Sequence, residues 1–150
     1  MSYIKDIFEN LEGSWTLNRE FVDLDTGVKH SASGNAVFKK NKANILAYEE
    51  TGVLSLPENS ANLNFTRKYL YELKDNAIHI ILDDGINRGD LFQKLIPTED
   101  ERVFKGTEHL CVNDTYNGTY HFINENEFSI EIIKKGPRMN VEIKTSYRKK

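Results

Sequence analysis

Hydrophobic and polar residues follow two different periods along this chain. Over residues 3–11 the apolar side chains recur at helical spacing, which predicts one short amphipathic helix. From Trp15 onward the period changes to two, so that Trp15, Leu17, Arg19 and Phe21 share one face and the intervening polar residues share the other. The chain after the helix is therefore predicted to be built from strands.

The alternation predicts about ten strands, separated by short turns rich in Gly, Asn, Asp and Pro. They cover residues 15–24, 29–39, 44–54, 61–73, 77–82, 89–96, 102–112, 118–123, 127–134 and 140–148. Connections this short leave no room for crossover helices, so the strands should be antiparallel and consecutive strands should pair. Because a flat sheet of this size would leave long unpaired edges, we expect an all-β, up-and-down barrel of about eight to ten strands. A two-sheet sandwich is the structural alternative.

Composition narrows the class of protein. The 150 residues hold 20 Lys and Arg against 23 Asp and Glu, a net charge of −3, and predict one globular domain over residues 1–150. No basic stripe favours nucleic acid, and no apolar run is long enough for membrane insertion. Cys111 has no second cysteine to pair with, and the first residues do not resemble a secretion leader. We expect a cytoplasmic monomer or homodimer.

Two residues at opposite ends of the chain suggest how the barrel closes. Gly13-Ser14-Trp15 begins the first strand and Arg148 lies on the last. This arrangement resembles the calycin superfamily, which includes the lipocalins and the fatty-acid-binding proteins. The resemblance implies a calycin-like barrel in which Trp15 closes the floor and Arg148 packs across its ring through a cation–π contact.

A wider set of motifs covers nearly the whole chain. It comprises Gly13-x-Trp15, Arg19, Gly34, Phe38, Tyr48-x-Glu50-x-Gly52, Arg67-x-Tyr69-x-Tyr71, Asp84-Gly85, Phe92, His109-x-Cys111-x-x-Asp114-x-Tyr116, Gly136-Pro137-Arg138 and Tyr147-Arg148. Together these motifs are similar to a family of small cytosolic domains of unknown function. That resemblance implies no activity.

The fourth predicted strand carries the strongest candidate for ligand binding. Arg67, Tyr69 and Tyr71 share one face, and Tyr48 and Glu50 share a face of the preceding strand. An arginine inside a barrel needs a partner, because desolvating an unpaired charge costs several kcal/mol. Glu50 would be a structural partner for Arg67, and a fatty-acid-like carboxylate would be a functional one. Both interpretations stay open at this stage.

A second cluster includes His109, Cys111, Asp114 and Tyr116 within eight residues. His109 with Cys111 and Asp114 could supply a catalytic base and nucleophile, although alternate residues of a strand usually point in parallel. Asp114 is expected in a turn. The scattered histidines do not predict a metal site, and no haem or other cofactor is predicted. Arg138, in the last hairpin, is expected to reach Asp114 or to meet an anion at the barrel mouth.

These patterns predict a binding protein for a small, mostly apolar molecule with an acidic or polar head. The predicted contacts are Arg67, Tyr69, Tyr71, Glu50, Tyr48, His109, Tyr116 and Arg138. One alternative is a small hydrolase or isomerase that uses His109 and Asp114, so the sequence leaves catalysis open. A second alternative is a protein-interaction module whose barrel is filled by side chains.

Overall fold

The computed structural model describes residues 3–56, 61–107, 109–111 and 113–150, with residues 109–111 described by their backbone alone. Within these residues the chain forms one helix and eleven strands. They are α1 (Tyr3–Asn10), β1 (Gly13–Asp23), β2 (Lys29–Lys42), β3 (Ile45–Leu56), β4 (Ala61–Lys74), β5 (Ala77–Leu82), β6 (Leu91–Pro97), β7 (Val103–Gly106), β8 (His109–Cys111), β9 (Asp114–Asn124), β10 (Glu127–Lys135) and β11 (Asn140–Lys149).

The strands close into a single antiparallel barrel. Consecutive strands pair from β1 to β7, β7 pairs with β9, and β9 pairs with β10. The ring is completed where β11 pairs with both β10 and β1. Ten of the described strands make up this ring, and β8 adds only to the end of β9. The predicted all-β, up-and-down barrel with a short N-terminal helix is thus confirmed.

The strand predicted over residues 102–112 is the one clear departure from the expected element pattern. It is divided into β7 and β8, which pair with different parts of β9. Asp114 was expected in a turn, and that prediction is wrong. It begins β9 and pairs with Cys111, because the connection between β8 and β9 is only two residues long.

One end of the barrel is closed by α1 and by a cluster of buried aromatic side chains. Ile4 and Phe8 of α1 are buried against this cluster, and the indole nitrogen of Trp15 donates a hydrogen bond to the Leu11 carbonyl at 2.9 Å. Trp15 also meets Phe128 edge to face, with ring centroids 4.8 Å apart. Among the described residues, no helix has the length and apolarity needed to cross a membrane.

Lys149, rather than Arg148, lies over Trp15. The Lys149 ammonium is 5.2 Å from the centroid of the indole ring, and it also donates a hydrogen bond to the Asn10 carbonyl. Trp15 is paired with Lys149 across the β1–β11 seam, so Arg148 points to the other face and pairs with Glu127. The expected contact between Arg148 and Trp15 is therefore wrong by one residue, although the first and last strands do meet as predicted.

Two glycines let β2 and β3 approach each other closely. Gly34 and Gly52 are direct register partners, and a Cβ at Gly34 would overlap the Thr51 carbonyl oxygen and the Gly52 Cα. A Cβ at Gly52 would in turn overlap the Phe65 ring. Glycine at such a position permits a close backbone approach that no other residue allows.

Candidate functional site

The barrel encloses a cavity of about 580 Å³ that opens at the end away from α1. This volume lies within the range of pockets that hold small molecules. The apolar part of its wall includes Phe21, Leu54, Ile80, Leu82, Phe92, Ile130, Ile132 and Ile143. The polar part includes Arg19, Tyr48, Glu50, Arg67, Tyr69, Tyr71, Asp84, Tyr116, Tyr120, Thr145 and Tyr147. Because the described residues leave this space open, the filled barrel required by the interaction-module hypothesis is not what the structure shows.

A buried ion pair between Arg19 and Glu50 organises one side of the cavity. The Arg19 guanidinium donates two hydrogen bonds to the Glu50 carboxylate, at 2.5 and 2.9 Å. Its Nε donates a third hydrogen bond to the Thr145 hydroxyl at 2.8 Å. The side chains of Arg19 and Glu50 are only 14% and 2% exposed. Fork-to-fork pairing of this kind satisfies both charges within the protein.

Two tyrosines extend this network. The Tyr48 hydroxyl donates to Glu50 at 2.5 Å and lies 2.8 Å from the Tyr147 hydroxyl. Because the single Tyr48 proton is given to Glu50, Tyr147 is the donor in the second contact. Glu50 thus accepts three hydrogen bonds, two from Arg19 and one from Tyr48. The network has few acceptor or donor positions left for a ligand.

Burial sets the protonation of these groups. It raises the pKa of Tyr48 well above its ordinary value, an effect to which Tyr147 and Glu50 add. Burial likewise raises the pKa of Tyr147. Burial alone would lower the pKa of Arg19, but the hydrogen bonds and the charge of Glu50 outweigh it and raise that pKa. Arg19 therefore remains a cation and both phenols remain neutral near pH 7.

Small residues of β2 explain how Arg19 on β1 reaches Glu50 on β3. The strand between them presents Ala32, Gly34 and Ala36 to the interior. In the sheet register Ala32 is the partner of Arg19, and Ala36 is the partner of Glu50. With no bulky side chain over β2, the guanidinium can pass across it. Of the two interpretations left open for Arg67, the pair with Glu50 is wrong, even though the two are direct neighbours in the β3–β4 register.

Arg67, Tyr69 and Tyr71 line the cavity from its opening inward, as the period of two predicted. Arg67 is exposed, Tyr69 is half-buried, and Tyr71 is 4% exposed. Among the described residues, none of the three has a hydrogen-bond or ion-pair partner. Ring contacts fix the Tyr69 side chain, because it packs between Tyr48 and Phe92 with its centroid 5.8 Å from each.

The loop between β5 and β6 lies beside Arg67 at the opening. Asp84, Gly85, Ile86 and Asn87 of this loop line the cavity, and the Ile86 side chain is fully exposed. The Asp84 carboxylate accepts a hydrogen bond from the Lys68 backbone amide at 2.8 Å, which ties the loop to β4. Two charged side chains therefore lie at the opening: Arg67, which has no partner among the described residues, and Asp84.

Gln93 and Tyr120 form a second polar contact in the interior. Gln93 is completely buried, accepts a hydrogen bond from the Tyr120 hydroxyl, and donates to the Thr107 carbonyl at 3.1 Å. Gly106 and Gly118 leave the space that the Gln93 side chain occupies. The Tyr120 hydroxyl is therefore already engaged within the protein.

The remaining predicted site residues are distributed differently. Tyr116 lines the cavity, and the Lys134 ammonium lies 5.7 Å from its ring centroid. Asp114 pairs with Lys134 at 3.7 Å and packs against Gly136, so the contact expected between Asp114 and Arg138 is replaced. Arg138 is exposed.

The side chains of His109 and Cys111 lie outside the described residues. The predicted catalytic cluster of these two residues with Asp114 therefore stays a prediction. No group of three or more possible metal ligands occurs in the described part of the chain.

Sequence reasoning missed Arg19, Thr145 and Tyr147 as cavity residues. A signal for Arg19 was present, because it alternates with Trp15 and Leu17 on the inward face of β1. Thr145 and Tyr147 occupy equivalent inward positions on β11, where both are buried. Thr145 contacts Arg19 and Tyr147 contacts Tyr48, and these contacts depend on barrel curvature, which the alternation of residues does not encode.

Comparison with known protein families and structures bears on the fold. A family described as a family of unknown function (DUF6314) matches residues 11–149. The expectation of a family of unknown function is thus confirmed. Comparison with curated proteins gives no match.

Several solved structures share the barrel. The S-type phycobiliprotein lyase CPES from Guillardia theta superposes with a TM-score of 0.72 at 10% identity, covering 100% of this chain and 93% of the lyase. Rv2717c from M. tuberculosis gives 0.66 at 11% identity, with 100% and 99% covered. A DUF3598 protein of unknown function from Nostoc punctiforme gives 0.66 at 9% identity, covering 95% of this chain and 49% of that one. At these identities the likeness establishes the fold alone.

Proposed function

We propose a function for this chain, which belongs to the DUF6314 family of unknown function, from its own cavity. The protein binds a small, mostly apolar molecule with an acidic or polar head, and the head lies at Arg67. The observation that carries the proposal is an open cavity of about 580 Å³ with apolar walls and, at its opening, an exposed arginine that has no partner among the described residues.

Charge distribution supports Arg67 over Arg19 as the contact for the head group. Arg19 already donates to Glu50 and Thr145, so a ligand would have to compete with a buried ion pair. Arg67 has donors to offer without breaking any described contact. Its place at the opening also lets a charged group keep part of its hydration while the apolar body is buried, which lowers the desolvation cost.

The proposal is tested with two fluorescent probes that differ chiefly in charge. One is 1-anilinonaphthalene-8-sulfonate, and the other is N-phenyl-1-naphthylamine, which has the same ring system without the sulfonate. Both should bind. In Arg67→Gln the ratio of sulfonate affinity to neutral-probe affinity should fall about tenfold, the value of one hydrogen bond to a charged group. Lys68→Gln is the matched control, because Lys68 lies on the outer face and pairs with Glu49. It should leave the ratio unchanged.

Two further variants locate the probe. Leu54 lines the cavity and has no part in the Arg19–Glu50 pair, so Leu54→Trp should weaken binding of both probes, whereas Val53→Trp on the outer face should not. Because Asp84 also lines the opening, Asp84→Asn should strengthen sulfonate binding by removing a like charge. The proposal would be overturned if neither probe bound, or if Leu54→Trp bound both probes fully with unchanged circular dichroism.

A further inference from the structure

The wall formed by β4 carries more hydrogen-bonding capacity than a single head group uses. We infer that the ligand carries neutral oxygen acceptors, such as carbonyl or ether oxygens, along the edge that faces Tyr69 and Tyr71. This inference rests on the proposed function and deepens it. It distinguishes a functionalised acid from a plain hydrocarbon acid.

The first support is the contrast among the cavity tyrosines. Tyr48 and Tyr147 bond to each other, and Tyr120 donates to Gln93. Tyr69 and Tyr71 have no hydrogen-bond partner among the described residues. Sequence position alone does not separate these groups, because all five residues point inward from their strands. The structure therefore leaves two specific hydroxyls unused.

The second support is that these hydroxyls are accessible from the cavity. Among the described residues, the one side-chain nitrogen or oxygen atom that is both shielded from solvent and without a partner is Nδ1 of His79. The Tyr71 hydroxyl is thus reachable although its residue is 4% exposed, and the space that it reaches is the cavity that it lines. Tyr69 lines the same cavity nearer the opening.

The third support is the order and rigidity of the three side chains. Alternate residues of a strand lie roughly 7 Å apart, so Arg67, Tyr69 and Tyr71 form a row along β4 in which Arg67 is nearest the opening. Ring contacts fix the tyrosines, with Tyr71 5.0 Å from Phe38 and 5.7 Å from Tyr48 between centroids. Burial raises the pKa of both phenols, so each remains a donor near pH 7.

The opposite wall offers no such contacts. Ile130 and Ile132 of β10 and Ile143 of β11 present only hydrocarbon to the cavity. A plain alkyl chain would remove water from the two hydroxyls and give them nothing in return, which is costly for a buried polar group. A molecule with oxygens along one edge and hydrocarbon along the other satisfies both walls. The chemical class is therefore an amphipathic acid with acceptors on one side.

The test compares octadecanoate with a series of oxo-octadecanoates whose ketone is at carbon 6, 8, 10 or 12. Affinities are measured by displacement of 1-anilinonaphthalene-8-sulfonate and expressed relative to octadecanoate in the same variant. At the best positions the ketone should raise affinity about fivefold, the contribution of one neutral hydrogen bond. Tyr69→Phe should remove the gain for ketones nearer the carboxylate, and Tyr71→Phe should remove it for those farther away. Tyr3→Phe is the control, because Tyr3 packs on Phe104 at the closed end.

The outcomes separate this inference from the function on which it rests. If octadecanoate displaces the probe but no ketone position improves affinity, the acceptor edge is wrong and the proposed function stands. The same conclusion follows if the gain persists in both phenylalanine variants. If neither the probe nor any acid binds, both proposals fail.

Discussion

Glu50 is the residue on which the interior polar network depends. It accepts hydrogen bonds from Arg19 and Tyr48 while being 1% exposed. Breaking a buried pair by removing one partner is usually far more harmful than the pair is beneficial, because the remaining charge is left without compensation. The contribution of Glu50 is therefore best measured against a carboxylate in the same strand that faces outward.

We expect Glu50→Gln to lower the free energy of unfolding by about 3 kcal/mol. Glu49→Gln is the matched control, since Glu49 is 55% exposed and its pair with Lys68 spans 3.7 Å. It should change stability by less than about 0.5 kcal/mol. Urea unfolding followed by circular dichroism measures both. A double variant, Arg19→Met with Glu50→Leu, should regain much of the stability lost in Glu50→Gln. Equal losses of stability in Glu50→Gln and Glu49→Gln would contradict this account.

At the scale of elements, the close approach of β2 to β3 shapes the cavity. The inner face of β2 carries the small residues Ala32, Gly34 and Ala36, so the Arg19 side chain has room to extend across this strand. Gly52 likewise leaves room for the Phe65 ring on β4. The polar side of the cavity thus depends on the absence of large side chains at these positions of β2 and β3, as well as on the side chains of the neighbouring strands.

Gly34→Ala should destabilise the protein, although alanine is ordinarily favoured over glycine within a strand. Because the new Cβ would meet backbone atoms of Thr51 and Gly52, the strands must separate, and we expect a loss of about 3 kcal/mol. Asn35→Ala is the control, since Asn35 is exposed on the outer face. Thermal unfolding of the two variants compares them. A more stable Gly34→Ala protein would show that the strands are not in close contact.

Particular residues show how far sequence carries the prediction. The period of two correctly predicted that Arg67, Tyr69 and Tyr71 face the interior, because strand geometry alone decides which face a residue occupies. It did not identify the partner of Glu50, since a contact across β2 depends on curvature and on small residues beneath it. Arg148 illustrates a finer limit, because one residue of register decides whether it or Lys149 meets Trp15.

At the scale of the whole molecule, buried phenols link stability to alkaline pH. Burial raises the pKa of Tyr48, Tyr69, Tyr71, Tyr120 and Tyr147. In the unfolded chain these groups lose their protons near pH 10, whereas in the folded protein they keep them to higher pH. The folded state then binds more protons than the unfolded state, so stability falls as pH rises above about 10. Below that pH these phenols leave stability unchanged.

Five of the seven tyrosines should therefore ionise only as the barrel unfolds. Tyrosinate ultraviolet absorbance and far-ultraviolet circular dichroism, recorded in the same alkaline titration, should report these five ionisations and the loss of sheet together. In denaturant the same five should ionise near pH 10. Ionisation of all five near that pH with the sheet intact would contradict the burial described here.

Among the described residues, α1 and Trp15 cover one end of the barrel, and the opening of the cavity lies beside the β5–β6 loop at the other end. Under the proposed function, a molecule that enters by this opening also leaves by it, so the occupant must depart before its successor arrives. The β5–β6 loop with its exposed Ile86 borders this opening, so its movements would then set the residence time of the bound molecule.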